Sequence, residues 1–349
     1  MGEKGENTAI VVRVADGVPT LSQENIDIPS LEGHQVLVKV SHVAQNPTDV
    51  QAFDNNAFGD GAVLGCDFVG EVVQLGSQVT ELTKGDIVAG LIWGGEIPGL
   101  GAYSQYCVAD EKISFRVPRH ISRESASTVP LAAATAWLAL FSKGCLGIKL
   151  DEALDKGVLI WGGSSSVGQY AIQLASIYGM KVATTCSPKN FELVRSLGAS
   201  HIFDYNDQDA IQKIQQSNPG ILHVFDTIGS STSSAVASCV FDQGVGNLCT
   251  VRPGKANTEE VKPGTNVTDV LVWTAFLKDH SYREFKWPAS KDDHNLSTDL
   301  FKKLLPAWLD IGMLKPNEPK VLKGLDKVTQ GFQEHREGKI SAYKIVYEV

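Results

Sequence analysis

Between residue 8 and about residue 125, apolar and polar positions alternate in short runs broken by Gly, Pro, Asn and Asp, as in Gln35-Val36-Leu37-Val38-Lys39-Val40 and Phe68-Val69-Gly70-Glu71-Val72-Val73. A period of two sends alternate side chains to core and water, so this stretch predicts a β-rich domain. The pattern breaks near Pro118, and the small-residue run across 123–141 predicts a tightly packed helix at a domain boundary. From residue 157 the rhythm changes. Val158-Leu159-Ile160-Trp161 predicts a buried strand, a turn of glycines and serines follows, and residues 169–178 carry helical spacing at Ile172, Ala175 and Ile177. Further strands are expected at 181–186, 202–203, 224–225 and 248–251, with helices at 191–197, 210–215 and 231–241. Strands alternating with helices imply crossover connections and a doubly wound parallel sheet of nucleotide-binding type, an α/β architecture. Residues 255–300 read as irregular and polar, a last helix is expected near 298–309, and residues 340–347 form a final strand that can return to the first domain.

Composition narrows the classes. The 349 residues include 31 Lys plus Arg against 40 Asp plus Glu, a net charge of −9, with 43% apolar residues. That length suits two domains with substantial cores. The acidity supplies no basic footprint, so neither nucleic acid nor an anionic membrane is expected as a partner. The six cysteines, Cys66, Cys107, Cys145, Cys186, Cys239 and Cys249, form no C-x-x-C pair, and reduced thiols are expected. Met1-Gly2-Glu3-Lys4-Gly5-Glu6 lacks the apolar run of a signal peptide, and no stretch approaches the roughly 18 apolar residues of a membrane span. Asn266-Val267-Thr268 and Asn295-Leu296-Ser297 match the glycosylation triplet without a secretory context, so a cytoplasmic location is expected.

Gly162-Gly163-Ser164-Ser165-Ser166-Val167-Gly168 lies between the buried strand and the amphipathic helix, where a dinucleotide pyrophosphate docks. Small residues let backbone approach phosphate, and the helix N-terminus favours the anion. The spacing is not G-x-G-x-x-G, and a tight strand-to-helix turn can want small residues for packing alone. After the second strand an NAD site would carry an acidic residue for the ribose. Here stands Cys186-Ser187-Pro188-Lys189-Asn190, in which Ser187 and Asn190 can hydrogen-bond and Lys189 can neutralise a 2′-phosphate. NADPH is the cofactor expected, against the alternative that Lys189 is simply solvated.

Asn46-Pro47-Thr48-Asp49, Gly65-Cys66-Asp67-Phe68-Val69-Gly70-Glu71-Val72, Val79 to Val88 and the glycine and serine loop together resemble the medium-chain dehydrogenase/reductase superfamily over essentially the whole chain. Residues 183–191 and the polar stretch with Trp287-Pro288 resemble its fungal branch of trans-acting enoyl reductases, which serve polyketide synthases. The resemblance implies a GroES-like catalytic domain from residues 1–125 and 300–349, a Rossmann domain at 126–299, and a cleft where they meet. It places Pro47, Thr48, Asp49 and Val50 at the nicotinamide, and Ser164, Ser165, Ser166 and Val167 on the pyrophosphate. Ser187, Pro188, Lys189 and Asn190 take the 2′-phosphate and Tyr205 the adenine, while Val251, Arg252, Ser341 and Ala342 close on the nicotinamide riboside. The acyl pocket is expected along Pro130-Leu131-Ala132-Ala133-Ala134-Thr135-Ala136-Trp137 and Trp273-Thr274-Ala275-Phe276-Leu277. For several of these there is a plainer role: Tyr205 and Trp273 in packing, Arg252 in a surface ion pair.

Zinc members of the superfamily hold their metal with a Cys before the first loop, a Gly-His-Glu motif and a later ligand. Here the first two places are Asn46 and Gly65-Cys66-Asp67, and the lobe region 91–100 has no cysteine. Zinc needs about four closely placed ligands, so no metal is expected. Metal-free hydride transfer from NADPH to the β-carbon of an activated alkene remains, with the protein aligning the reactants and stabilising the enolate. Related mitochondrial enoyl-thioester reductases carry a Tyr where Phe58 stands, and the polyketide branch can carry a Lys where Gln51 stands, so the candidate catalytic residues are Thr48 and Gln51, without a nameable proton donor. The leading expectation is a monomeric enoyl reductase acting in trans on a carrier-bound polyketide, the charged insertion at 278–297 standing where a dimer edge would lie. A quinone or small-enone reductase, and a non-redox cyclase or binding protein on the same fold, remain open.

Overall fold

The computed structural model describes residues 6–217, 220–241, 245–282 and 285–349. The first five residues and residues 283–284 of the charged insertion lie outside them. The chain divides into two compact units, one of Met1–Leu131, Thr298–Gly312 and Pro316–Val349, the other of Ala132–Ser297 and Met313–Lys315.

In the first unit β1 (Glu6–Ala15) and β2 (Val18–Asp27) pair as an antiparallel ribbon. Then come β3 (Gln35–Ala44), α1 (Pro47–Asp54), β4 (Asp67–Leu75), β5 (Ile87–Leu91), β6 (Tyr106–Asp110), β7 (Ser114–Arg116) and the short α2 (Arg123–Ser127). β3, β4, β5 and β7 are successive antiparallel neighbours, and β6 pairs with β3. Val36, Val38 and Val40 enter the core with Lys39 exposed between them, as the alternation requires.

α3 (Pro130–Phe141) leads into the second unit, where β8 (Gly157–Trp161), α4 (Ser166–Ile177), β9 (Lys181–Cys186), α5 (Phe191–Ser196), β10 (His201–Asp204), α6 (Ala210–Ser217), β11 (His223–Asp226), α7 (Ser233–Ser238), β12 (Gly246–Thr250) and β13 (Thr265–Asp269) alternate. The sheet order is β10-β9-β8-β11-β12-β13, with every neighbouring pair parallel. That is the Rossmann order, in which two halves wind outward from the central pair β8 and β11 and ligands bind beyond the strands' C-terminal ends. β13 was expected as irregular chain. Its sequence, TNVTD, sits at the sheet edge and carries one apolar side chain, so periodicity gave no signal there.

A hairpin of β14 (His280–Tyr282) and β15 (Phe285–Trp287) precedes a helical run longer than expected: α8 (Lys291–Asp299), a π turn at Leu300–Leu304 and α9 (Leu305–Asp310). Lys291, Asp292 and Asp293 hid its polar first turn. The chain then returns to the first unit as β16 (Glu318–Lys323), α10 (Val328–Arg336) and β17 (Tyr343–Glu348). β17 pairs antiparallel with β3 and parallel with β16, so both ends of the described chain belong to one unit.

One carboxylate fastens that closure. Asp67, at the start of β4 and fully buried, accepts hydrogen bonds from Lys344 Nζ on β17 at 2.5 Å, from Asn46 Nδ2 at 2.9 Å and from the Leu131 backbone N–H at 2.6 Å. Lys344 also donates to the Thr128 carbonyl at 3.4 Å. Removing one partner of a buried pair leaves an uncompensated charge, so Lys344→Met should cost about 3–5 kcal/mol of first-unit stability. In denaturant unfolding the double variant Asp67→Asn/Lys344→Met should regain much of that loss; a single variant as stable as the parent would refute the role.

Candidate cofactor and active site

The glycine and serine turn follows β8 directly. Gly162 has φ +87°, a left-handed conformation that glycine adopts without strain, and a Cβ on Gly168 would lie 2.3 Å from the Gly162 carbonyl oxygen. The turn therefore requires small residues for its own packing. Ser165 is the N-cap of α4, its Oγ accepting the Gly168 N–H at 2.9 Å and lying 2.8 Å from Thr227 Oγ1. Thr227 in turn donates to the Trp161 carbonyl at 2.8 Å. Ser165 is thus committed to building the turn, whereas Ser164, Ser166 and Val167 line its half-buried rim and the first turn of α4. First-turn N–H groups have no intrahelical partner and sit at the positive end of the dipole, the arrangement that takes a phosphate.

Strand register brings the other cofactor candidates to the same edge. Trp161 pairs with Thr185, and Asp204 with Cys186, so the residues that follow β8, β9 and β10 emerge side by side. Ser187 is half-buried, Pro188 and Lys189 are exposed in a single turn, and Tyr205 is 50% exposed at the end of β10. Among the described residues Lys189 takes part in none of the ion pairs. Asn190 departs from expectation: it is 8% exposed, its side chain turned into the unit at the start of α5, so it presents little surface to a ligand. Val251 and Arg252 follow β12 at the same edge, half-buried. Arg252 Nε donates to the Gly229 carbonyl at 2.7 Å, so it braces a neighbouring loop through a carbonyl, not through a surface acid.

Sequence reasoning missed the group that holds that loop. Asp226, buried at the end of β11, accepts from the Ile228 and Gly229 N–H groups at 3.0 and 3.1 Å and from Ser233 and Ser234 Oγ at 2.6 and 2.7 Å. The signal was Asp226-Thr227-Ile228-Gly229 directly after an apolar strand, a carboxylate followed by a glycine at positive φ.

In the first unit α1 begins after Asn46, whose backbone N–H donates to Asp49 Oδ2 at 2.7 Å. Asp49 and Val50 were expected to face the nicotinamide, but both side chains are 1% exposed and point into the unit. Asp49 also accepts from the Gly65 N–H, Cys66 Sγ and Tyr103 OH, each at 3.2 Å. Burial lifts its carboxyl to about 6 despite those donors. Pro47 is exposed and Thr48 and Gln51 are half-buried, so Thr48 and Gln51 offer hydrogen-bond donors near the start of α1, while the exposed Asp54 at its end pairs with Arg336. Ser341 and Ala342 are half-buried just ahead of β17, Ala342 at φ +63°.

The residues expected along the acyl pocket are mostly packed inside the fold. Pro130, Leu131, Ala132, Ala133, Ala134, Thr135, Ala136 and Trp137 are all buried in α3. Trp137 donates to the Leu296 carbonyl at 3.0 Å and packs edge-on against Phe141, so it is core of the second unit. Trp273, Thr274 and Ala275 are likewise buried, while Phe276 is half-buried and Leu277 53% exposed. A helix of small apolar residues packs closely whether or not a ligand lies beside it. Phe58 instead forms a half-buried edge-on pair with Trp93, ring centroids 6.1 Å apart.

The zinc-ligand positions do not fit a metal. Cys66 is bonded to Asp49, with burial first and that carboxylate second holding its thiol well above the usual range, and both Asp67 oxygens are taken. Lys344 places a cation where a metal ion would need ligands, and among the described residues no three His, Cys, Asp or Glu side chains are grouped to hold one.

Comparisons with known proteins converge on this architecture. Residues 32–119 match the alcohol dehydrogenase GroES-like domain and residues 166–284 the zinc-binding dehydrogenase family. A trans-enoyl reductase of Fusarium sp. (strain FN080326), fsa3, is 33% identical over 355 residues, covering 98% of each chain. Another from Alternaria alternata, ACTTS2, is 32% identical over 338 residues, covering 93% of this chain and 95% of that one. The crotonyl-CoA carboxylase/reductase AntE, solved in complex with NADP, superposes with a TM-score of 0.74 at 18% identity, covering 100% of this chain and 96% of that chain. The chain belongs to the medium-chain dehydrogenase/reductase superfamily and, within it, to the trans-enoyl reductases.

Asp49 supplies a pH test. Its folded-state value lies above the ordinary 3.8, so its contribution to stability is present in acid and is lost as pH rises through about 6. The stability of the parent relative to Asp49→Asn should fall by up to about 3 kcal/mol between roughly pH 4 and 7. A flat difference across that window in thermal unfolding would show the carboxyl to be unshifted.

Proposed function

We propose that this protein is a zinc-independent, NADPH-dependent reductase of an activated carbon–carbon double bond, an enoyl reductase acting in trans on a carrier-bound polyketide thioester. A polyketide synthase is its partner and the cytoplasm its location, and it works as a monomer. Family membership supports the oxidoreductase class and the acyl substrate. The observation that carries the cofactor choice is the exposed Lys189 beside Ser187 at the end of β9, with no carboxylate between Cys186 and Asn190 to meet a ribose 2′-OH.

Bound NADPH supplies hydride to the β-carbon of the alkene. The chain's own groups then have three tasks. Ser164, Ser166 and Val167 and the first turn of α4 hold the pyrophosphate, Ser187 and Lys189 the 2′-phosphate, and Tyr205 covers the adenine. Val251, Arg252, Ser341 and Ala342 confine the nicotinamide riboside, with Arg252 fixed through Gly229. Thr48 and Gln51, the accessible donors of α1, hydrogen-bond the thioester oxygen as it gains negative charge. Gln51 does this without a charge, and the α-carbon takes its proton from water. The acyl chain lies against Phe58 and Trp93.

Purified protein should oxidise NADPH in the presence of enoyl-pantetheine thioesters, with rates that rise with acyl length. Turnover of a quinone alone would make it a quinone reductase, and NADPH binding without turnover would favour a non-redox role. Lys189→Ala should weaken NADPH about tenfold, the cost of one charge-assisted contact, while leaving NADH unchanged. Equal loss for both cofactors would remove Lys189 from the 2′-phosphate site.

A further inference from the structure

The end of the Rossmann sheet opposite the cofactor edge carries a row of nitrogen bases. β10, β9, β8 and β11 are adjacent and parallel, and at or just before their first positions stand His201, Lys181, Lys156 and His223. Register keeps them together: Lys181 pairs with Gly157, which Lys156 precedes, His223 pairs with Val158, and His201 with Ala183. Neighbouring strands lie just under 5 Å apart, so the row spans roughly 15 Å. All four side chains line a cavity of about 610 Å³, together with Asp155 and Leu222, the latter 53% exposed. That volume suits a small organic ligand. The cofactor edge is at the other end of these strands, five residues away along β8, or about 13 Å.

Two carboxylates stand beside the row, and both are loosely engaged with it. Asp155 Oδ1 is 3.7 Å from Lys181 Nζ and Glu152 Oε2 is 3.5 Å from Lys156 Nζ, longer than the roughly 2.8 Å of a charge-assisted hydrogen bond. Glu152 gives its closer contact, 2.7 Å, to Lys149. His223 Nδ1 is buried and makes no hydrogen bond among the described residues. Burial first, and the Lys156 charge second, hold the His223 imidazole below its ordinary range, so the ring is neutral and has one N–H to give.

We propose that this cavity binds a phosphate monoester, its phosphate held by Lys156, Lys181 and His223 and its organic part lying against Leu222. A phosphate monoester carries nearly two charges and three acceptor oxygens, which matches donors arriving from three neighbouring strands. Its oxygens can approach each ammonium more closely than Asp155 and Glu152 do. A carboxylate, with one charge and two oxygens, leaves part of the row unused. Lysine suits the task because its ammonium is a compact point charge on a flexible stem. His201 closes the row on the β10 side. The site is separate from the glycine and serine turn and does not rest on the cofactor assignment given above.

Full-length protein in excess NADPH should be titrated calorimetrically with inorganic phosphate, AMP and phosphopantetheine. Saturable binding of at least one ester, tighter than inorganic phosphate, is expected. Lys156→Ala and Lys181→Ala should each weaken it about tenfold, the loss of one charge-assisted contact, while Lys189→Ala leaves it unchanged. Leu222→Ser should weaken the ester and leave inorganic phosphate as before. In NMR spectra the His223 ring resonances should move on addition of the ester to the unsubstituted protein, a readout that needs no variant to fold. Preference for AMP would identify the ligand as a nucleotide, and preference for phosphopantetheine as a pantetheine ester; either supports the site. Absence of saturable binding, or binding weakened by Lys189→Ala but not by Lys156→Ala and Lys181→Ala, would overturn it. Equal affinity for all three probes would overturn the role of Leu222 and with it the monoester.

Discussion

The first unit is organised around a single buried carboxylate. Asp67 takes donors from three segments far apart in sequence: the N-cap of α1, the first turn of α3 and β17. A buried ion pair is often no more stabilising than a well-packed apolar substitute, so its value here lies in geometry as much as in energy. It ties the returning strand β17, which pairs with β3, to the start of β4, and hence fixes where Ser341 and Ala342, just ahead of that strand, are held. It also fixes Asn46, from which α1 and its Thr48 and Gln51 project. Both polar elements assigned to the reacting end in this unit are thus anchored on one side chain.

The same device recurs with different partners. Asp49 is surrounded by donors from Asn46, Gly65, Cys66 and Tyr103, and Asp226 by two backbone N–H groups and two serine hydroxyls. None of the three carboxylates faces outward. Each sits at an element end, where backbone donors lack partners of their own, and each converts a turn into a fixed shape. The cost is desolvation, visible in the raised Asp49 carboxyl. The gain is that backbone groups close to a ligand are held before it arrives, which is what preorganisation requires.

How much of this was legible in the sequence depended on the range of the constraint. The turn after β8 was readable because its requirement is local: a positive φ at Gly162 and no room for a Cβ at Gly168 act over a few residues. The alternating parallel sheet was readable from apolar runs, except at β13, where an edge strand needs few apolar side chains. Asp67 with Lys344 was not readable, because 277 positions separate them and spacing carries no information at that range. α3 was ambiguous for a different reason. Small apolar residues say that something packs close, and here Trp137, Phe141 and Tyr178 show that it is the unit's own core.

Selectivity and scaffold are therefore carried by different kinds of residue. The groups that shape the cofactor edge, Gly162, Gly168, Ser165, Thr227 and Asp226, are locked into the fold by backbone approach or by hydrogen bonds, so changing any of them deforms the site along with its preference. Lys189 is exposed, outside the core, and carries the one formal charge between Cys186 and Asn190. A residue so loosely held contributes little to stability, yet it is well placed to tell a phosphate from a hydroxyl, because that distinction is one of charge and needs only a cation within reach. On the proposed cofactor reading, the fold keeps its glycine and serine turn unchanged while a surface side chain makes the choice between cofactors.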